Sequence, residues 1–318
     1  VLSGETILLT GGAGFIGSTL ARRLVDHNRV RIFDTFDRDA LSGTLLDGHP
    51  NVQRVRGDVR DPEQMLNAMR GVDRVVHLAS VAGVGTVLSQ PVRTMRVALE
   101  GTANVLEAAR EVGDIKRIVC FSTSEVFGRM AYNVTEGDDT PIGPVDEPRW
   151  TYAVAKIAAE HLAHSYGRQF ALPVVTLRPF NVYGPGQIGE GAIHNFIRRA
   201  LRDDAITVNN DGRQIRSWCY VDDMVDATLA SLERPEAAGQ AFNIGNPAAT
   251  VTVYHLAEMV KRLAESRSEI RFEVREYPDV EVRVPNVNKA RRLLAWQPKV
   301  GVEEGIARTL RWYRDHAE

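Results

Sequence analysis

The sequence predicts an α/β fold: a doubly wound parallel sheet covered by helices, with a smaller C-terminal α/β lobe. Three observations carry that expectation. Short β-branched runs alternate with amphipathic helical stretches through the first half of the chain, the pattern of a parallel sheet with both faces covered. A glycine-rich turn follows the first of those runs at once. The 318 residues also exceed what one hydrophobic core usually holds, so a second lobe is expected.

In order along the chain, strands are predicted at Thr6–Thr10, Val30–Asp34, Val52–Arg56, Arg74–Leu78, Arg117–Ser122 and Val174–Arg178. Helices near 15–27, 62–70, 91–113 and 150–168 lie between them, and each connection reads as a right-handed crossover. After about Pro179 the rhythm loosens. The segment RPFNVYGPGQIGEG is rich in turn formers, and Ala192–Arg202 and Val221–Leu232 read as helices with short strands around them. Gln240–Ile244 reads as a return to the sheet, and Val251–Glu265, Val287–Leu294 and Val302–His316 as closing helices. The division this predicts is a sheet unit over 1–178 with about 217–245, and a lobe over 179–216 and 246–318. No internal repeat or low-complexity tract is visible in the sequence.

Composition narrows the partners. With 39 Lys+Arg against 41 Asp+Glu the net charge is -2, which gives no field for gathering nucleic acid or an anionic membrane. An anionic ligand must therefore be held by individually placed groups. Cys120 and Cys219 sit in apolar runs without metal-ligand spacing, so they read as reduced packing residues suited to the cytoplasm, and no metal site is expected. No apolar run approaches bilayer length, and ILLTGG follows within a few positions of Val1, so the residues present predict neither a membrane span nor a signal peptide.

The turn after the first strand is TGGAGFIG, in which Gly12, Gly14 and Gly17 satisfy GxGxxG while Gly11, Gly14 and Gly17 satisfy the wider GxxGxxG. Side chains there would block both the tight turn and the backbone's approach to a pyrophosphate, whose charge then sits on the helix N-terminus beside Phe15 and Ile16. Asp34 answers this turn from the end of the second strand, roughly twenty residues on, where a carboxylate accepts from both ribose hydroxyls and repels a 2′-phosphate. NAD is thus predicted over NADP. Asp58 and Val59 in RGDVRD stand where the adenine would lie, although helix capping by Asp58 or Asp61 is an alternative use. Leu78 and Ala79, ending the fourth strand, complete the predicted cofactor wall. The sheet unit is then a Rossmann domain.

Tyr152 and Lys156 in WTYAVAKIAAEHL fall four residues apart on a predicted helix and share a face. An ammonium beside a phenol, with a nicotinamide cation near, is expected to lower the phenol's pKa and make it a usable base near neutral pH. The fifth strand ends in CFSTSEVFG at the carboxyl edge of the sheet, where open α/β folds bind ligands. Thr123, Ser124 and Glu125 are therefore candidates for substrate contact.

These residues resemble the extended short-chain dehydrogenases/reductases that modify nucleotide sugars, a family that includes 4-epimerases, 4,6-dehydratases and uronic acid decarboxylases. The resemblance runs through TGGAGFIG, GDVRD, HLAS, STSEVFG, YAVAK, RPFNVYGPG, RSWCYVDD, FNIGN and KARRLLAWQPKVGVEEGI, nearly the whole chain. It implies hydride chemistry carried by Thr123, Tyr152 and Lys156. It also implies that Asn181 and Arg216 contact a diphosphate and that Arg283 closes on the phosphates as a second arginine. The lobe would then hold a UDP-sugar, and the helices around 91–113 and 150–168 would pair across a two-fold axis in a homodimer.

Within that family the chain is most similar to UDP-glucuronic acid decarboxylases. Ser124 and Glu125 resemble their Ser-Glu pair, whereas 4,6-dehydratases of the glucose type carry an acid where Ser124 stands. GPVDEPRWTYAVAK is similar to the matching stretch of the decarboxylase domain in lipid A aminoarabinose synthesis, and Arg283 and Pro285 match an Arg-x-Pro segment of UDP-xylose synthases. Three departures bear on the sugar: Ala98 where an Asn is usual, Asn286 where an acid is usual, and a loop, SVAGVGTVLSQP, unlike that of UDP-xylose synthases. A 4-epimerase, a 4,6-dehydratase acting on an N-acetylated sugar, and a non-catalytic NAD-sensing regulator are the rival readings.

Overall fold

The computed structural model describes residues 2–316. The aliphatic run that opens the chain forms β1 (Thr6–Thr10), whose Ile7, Leu8 and Leu9 are fully buried. The chain then turns through glycine into α1 (Phe15–Leu24), which buries Leu20, Ala21 and Leu24 against the sheet. There follow β2 (Arg29–Asp34), β3 (Val52–Arg56), α2 (Pro62–Met69) and β4 (Arg74–His77). Asp61 caps α2, its carboxylate accepting from the Glu63 and Gln64 amides at 3.0 Å each, and Pro62 supplies the preset first-turn backbone. Next come α3 (Val84–Ser89), α4 (Pro91–Val112), β5 (Arg117–Phe121) and β6 (Met130–Val134). A 3₁₀ turn over Pro148–Trp150 then leads directly into α5 (Thr151–Phe170).

The second half continues with β7 (Val174–Pro179), β8 (Val182–Tyr183), α6 (Ala192–Ala200), β9 (Ile206–Asn209), β10 (Ile215–Ser217) and β11 (Cys219–Tyr220). It closes with α7 (Val221–Glu233), β12 (Ala241–Ile244), β13 (Thr250–Thr252), α8 (Val253–Ala264), β14 (Ile270–Glu273), β15 (Val282–Pro285), α9 (Asn288–Leu294) and α10 (Val302–Asp315).

The main sheet has seven parallel strands in the order β12-β7-β5-β4-β1-β2-β3. This is the doubly wound Rossmann arrangement predicted from the alternation of strands and helices. The chain winds outward from β1 through β3, then resumes beside β1 with β4. The reversal leaves a crevice beyond the carboxyl ends of β1 and β4, the place such sheets bind ligands. A second sheet is ordered β13-β10-β15-β6, and a separate apolar cluster around Ile193, Phe196, Trp218, Leu256, Val260 and Leu310 stabilises the lobe.

Two local readings differ from the sequence expectation. Val251 and Thr252, read as the start of a helix, belong to β13 (Thr250–Thr252), a strand antiparallel to β10; its β-branched residues suit the pleat, and the Thr252 hydroxyl caps α8 by accepting from the His255 amide at 3.1 Å. β6 lies within the range read as the sheet unit, yet it pairs with β15 near the C-terminus, a contact across nearly half the chain that no local pattern announces.

Candidate active site

A cleft of about 1270 Å³ lies over the carboxyl edge of the main sheet, between it and the lobe. Gly11, Gly14, Phe15, Ile16, Gly17, Asp34, Asp58, Val59, Leu78 and Ala79 all line it. Gly11 has φ +68, and a Cβ there would stand 2.6 Å from the Ala79 amide nitrogen, so only glycine lets β1 and β4 meet at the turn. Gly14 caps α1 with no side-chain hydrogen bond, so the first-turn amides of α1 open onto the cleft as donors for an anion. Asp34 is fixed by the Ala13 and Phe36 amides, each at 2.9 Å, and burial raises its pKa against those bonds. Asp58 is gripped by Arg60, with Nε at 3.0 Å from both oxygens; that hydrogen-bonded cation is the main reason its pKa is lowered. Of the two aspartates weighed as a helix cap, Asp61 does that work and Asp58 remains on the cleft wall.

Thr123, Ser124, Glu125, Tyr152 and Lys156 line the same cleft farther along. One helical turn of α5 puts Lys156 under Tyr152, with Nζ 5.9 Å from the ring centroid, and Nζ donates to the Phe121 carbonyl at 2.8 Å. The expected lowering of the phenol pKa is not what the chain's own groups produce. Burial pushes the Tyr152 phenol up to about 12, with the Ser80 and Thr123 hydroxyls opposing and the Glu125 charge assisting. Burial likewise brings the Lys156 ammonium down to about 8. Desolvation outweighs the neighbours, so the chain's own groups favour the protonated phenol at neutral pH.

Glu125 stands beside this pair and is ionised by arginines on two sides. Arg149 donates from Nη1 to Oε2 at 2.9 Å, and Arg283 approaches Oε1 at 3.5 Å. Burial resists, but the Arg283 and Arg149 charges carry the Glu125 pKa below the usual carboxylate value. Asn181 and Arg216 also line the cleft. The Asn181 amide donates to the Ser217 carbonyl at 2.9 Å, and Arg216 lies 3.4 Å from Asp279.

Arg283 does not sit where a phosphate contact was expected. It is 1% exposed and lies behind the cleft wall, donating to Ser124 Oγ at 3.2 Å and to the Gly128 carbonyl at 2.6 Å. The pairing of β15 with β6 draws it under Ser124 and Glu125, so it braces those residues.

Comparison with known proteins agrees with this geometry. The sequence description "NAD dependent epimerase/dehydratase family" matches residues 7–245. The chain belongs to that family. Among its relatives, UDP-glucuronic acid decarboxylase 6 of Arabidopsis thaliana is 38% identical over 315 residues, covering 96% of this chain and 87% of that protein. The UDP-N-acetyl-alpha-D-glucosaminuronate decarboxylase of Bacillus cytotoxicus is 34% identical, covering 97% of each chain. The structure of a UDP-glucuronic acid 4-epimerase from Bacillus cereus, in complex with UDP-glucuronic acid and NAD, superposes with a TM-score of 0.86 at 28% identity, over 98% of this chain and 99% of that one.

As an NAD-dependent epimerase/dehydratase family member, the chain uses NAD, and the residues at this end of the cleft fit that cofactor: a glycine turn, a helix N-terminus with no side-chain cap, and the Asp34 carboxylate on the same wall. Two cleft residues of this family member escaped the sequence reading. Ser80 lay within the quoted HLAS, and Arg149 three residues before Tyr152 in PRWTY, but neither belongs to a periodic or catalytic spacing. Of the departures from the family pattern, Ala98 is fully buried, and Asn286 accepts from the Asn288 amide at 2.9 Å to turn the chain into α9. The loop over 80–91 folds into α3 at the mouth of the cleft.

Proposed function

We propose that this enzyme decarboxylates UDP-glucuronic acid to a UDP-pentose by transient oxidation at C4. The observation that carries the reading is the ionised Glu125, held between Arg149 and Arg283 beside Thr123 and Tyr152. A carboxylate kept unprotonated cannot supply the acid that dehydration at C6 needs, whereas it suits a reaction that ends in the loss of neutral carbon dioxide. The decarboxylase names of the relatives support the same choice.

In this account Asn181 and Arg216 hold the diphosphate, the guanidinium and amide serving as fixed donors in a chain with no general positive field. Tyr152 takes the proton of the 4-hydroxyl, Thr123 shares it, and Lys156 keeps a positive charge beneath the phenol. NAD, when bound, supplies the hydride acceptor and returns the hydride, so none is consumed. Oxidation at C4 makes the sugar a β-keto acid. The C5–C6 bond then breaks, its electron pair passes to the C4 carbonyl oxygen, carbon dioxide leaves, and a proton from water is added at C5. Glu125 and Ser124 orient the carboxylate for that step.

Two further readings accompany this one. The unpaired, buried Cys120 and Cys219 favour a reducing cytoplasm, and no helix among the described residues is long and apolar enough to cross a membrane. Exposed Val92, Val154 and Phe170 on α4 and α5 support a homodimer through those helices.

Incubating the NAD-loaded enzyme with UDP-glucuronic acid tests the proposal. The expected products are carbon dioxide and a UDP-pentose. Recovery of a C4-inverted hexuronate with no gas released would replace decarboxylation with epimerisation.

A further inference from the structure

The wall beyond Tyr152 holds more positive charge than the chain neutralises. Arg149, Arg216 and Arg283 gather there, and the carboxylates acting on them most strongly are Glu125 and Asp279, three cations against two anions. Two of the arginines make several hydrogen bonds within the chain. Arg283 lies behind the cleft surface, its two Nη atoms on Ser124, Glu125 and Gly128 and its Nε also buried without a partner. Arg216 donates to the Val280 carbonyl at 2.5 Å, to Ile215 at 3.1 Å and to Asp279 at 3.4 Å.

Arg149 differs from Arg283 in lining the cleft and from Arg216 in having an unpartnered, buried Nε. It lines the cleft although only 6% exposed, one arm is on Glu125 at 2.9 Å, and its Nε is buried with no hydrogen-bond partner. Its backbone is fixed by the 3₁₀ turn, where Glu147 caps its amide at 3.0 Å, and the guanidinium lies over the Trp150 ring at 5.4 Å. The group is therefore held in one place with donors to spare. A buried guanidinium N–H without an acceptor is costly, and a planar two-oxygen anion is the acceptor its fork fits.

We infer that Arg149 is the specificity-determining residue for the sugar's carboxylate, with one arm on Glu125 and the rest of the fork on C6 of a nucleotide-linked uronate. The inference rests on the uronate substrate proposed above and assigns the group that recognises it. It also gives Glu125 a second consequence. Two carboxylates sharing one guanidinium repel each other, and the repulsion ends when the C5–C6 bond breaks and the sugar's carboxylate departs as uncharged carbon dioxide.

A diphosphate could claim the same surplus charge, so the test compares ligands that share it. In a Tyr152→Phe background, which holds the sugar unreacted, the affinities of UDP-glucuronic acid and UDP-glucose are measured calorimetrically with NAD bound. Adding Arg149→Met is expected to weaken UDP-glucuronic acid at least about tenfold, the scale of one charge-assisted hydrogen bond, and UDP-glucose less than about twofold. Arg149→Lys, which keeps the charge and loses the fork, should fall between. Retained NAD and UDP-glucose binding report an intact cleft. Equal weakening of both ligands, or of neither, overturns the assignment, as does a parent that fails to prefer the uronate. If the parent prefers the uronate through Arg149 while the Tyr152 enzyme releases no carbon dioxide, the decarboxylase reading fails and the role of Arg149 stands.

Discussion

Tyr152→Phe should lower turnover roughly 10²- to 10⁴-fold while NAD stays bound. The substitution removes one oxygen from the cleft wall and leaves the glycine turn and Asp34 untouched, so loss of chemistry without loss of cofactor is the expected signature. The environment sharpens the expectation. Burial holds the phenol at about 12 and the neighbouring ammonium at about 8, and Thr123 lines the cleft beside them. Steady-state rates, together with the NAD content of the purified variant, check it. Near-normal turnover would remove Tyr152 from the proton transfer.

Glu125→Gln should act on the second half of the reaction. The amide keeps the shape and loses the charge that Arg149 and Arg283 face across 2.9 and 3.5 Å. Loss of carbon dioxide is expected to slow by about 10²-fold, the scale of removing one preorganised electrostatic contact, with the C4 oxidation slowed far less. A 4-keto sugar and reduced cofactor should then build up on the enzyme in a single turnover, visible as reduced-nicotinamide absorbance. Equal slowing of both steps would show that Glu125 only positions the sugar.

The parts legible in the sequence are those written in local spacing. The strand–helix alternation dictated the central sheet, the glycine turn and Asp34 come together on the cleft wall, and the four-residue step from Tyr152 to Lys156 put both on one face of α5. What escaped depends on distant contacts or on burial. Arg283 was read as a phosphate ligand because its segment resembles the family's, but the pairing of β15 with β6 is long-range and turns it under Ser124. Arg149 carries no spacing signal, since a 3₁₀ turn and not a helix face aims it at Glu125. The direction of the Tyr152 shift followed from desolvation, which a sequence does not display.

The central claim is that oxidation at C4 serves the loss of C6, and the fate of the C5 hydrogen reads it most directly. UDP-glucuronic acid turned over in deuterium oxide should yield a UDP-pentose carrying solvent deuterium at C5, because the proton that replaces carbon dioxide comes from water. An intact hexuronate with inverted C4 and no deuterium would contradict the account.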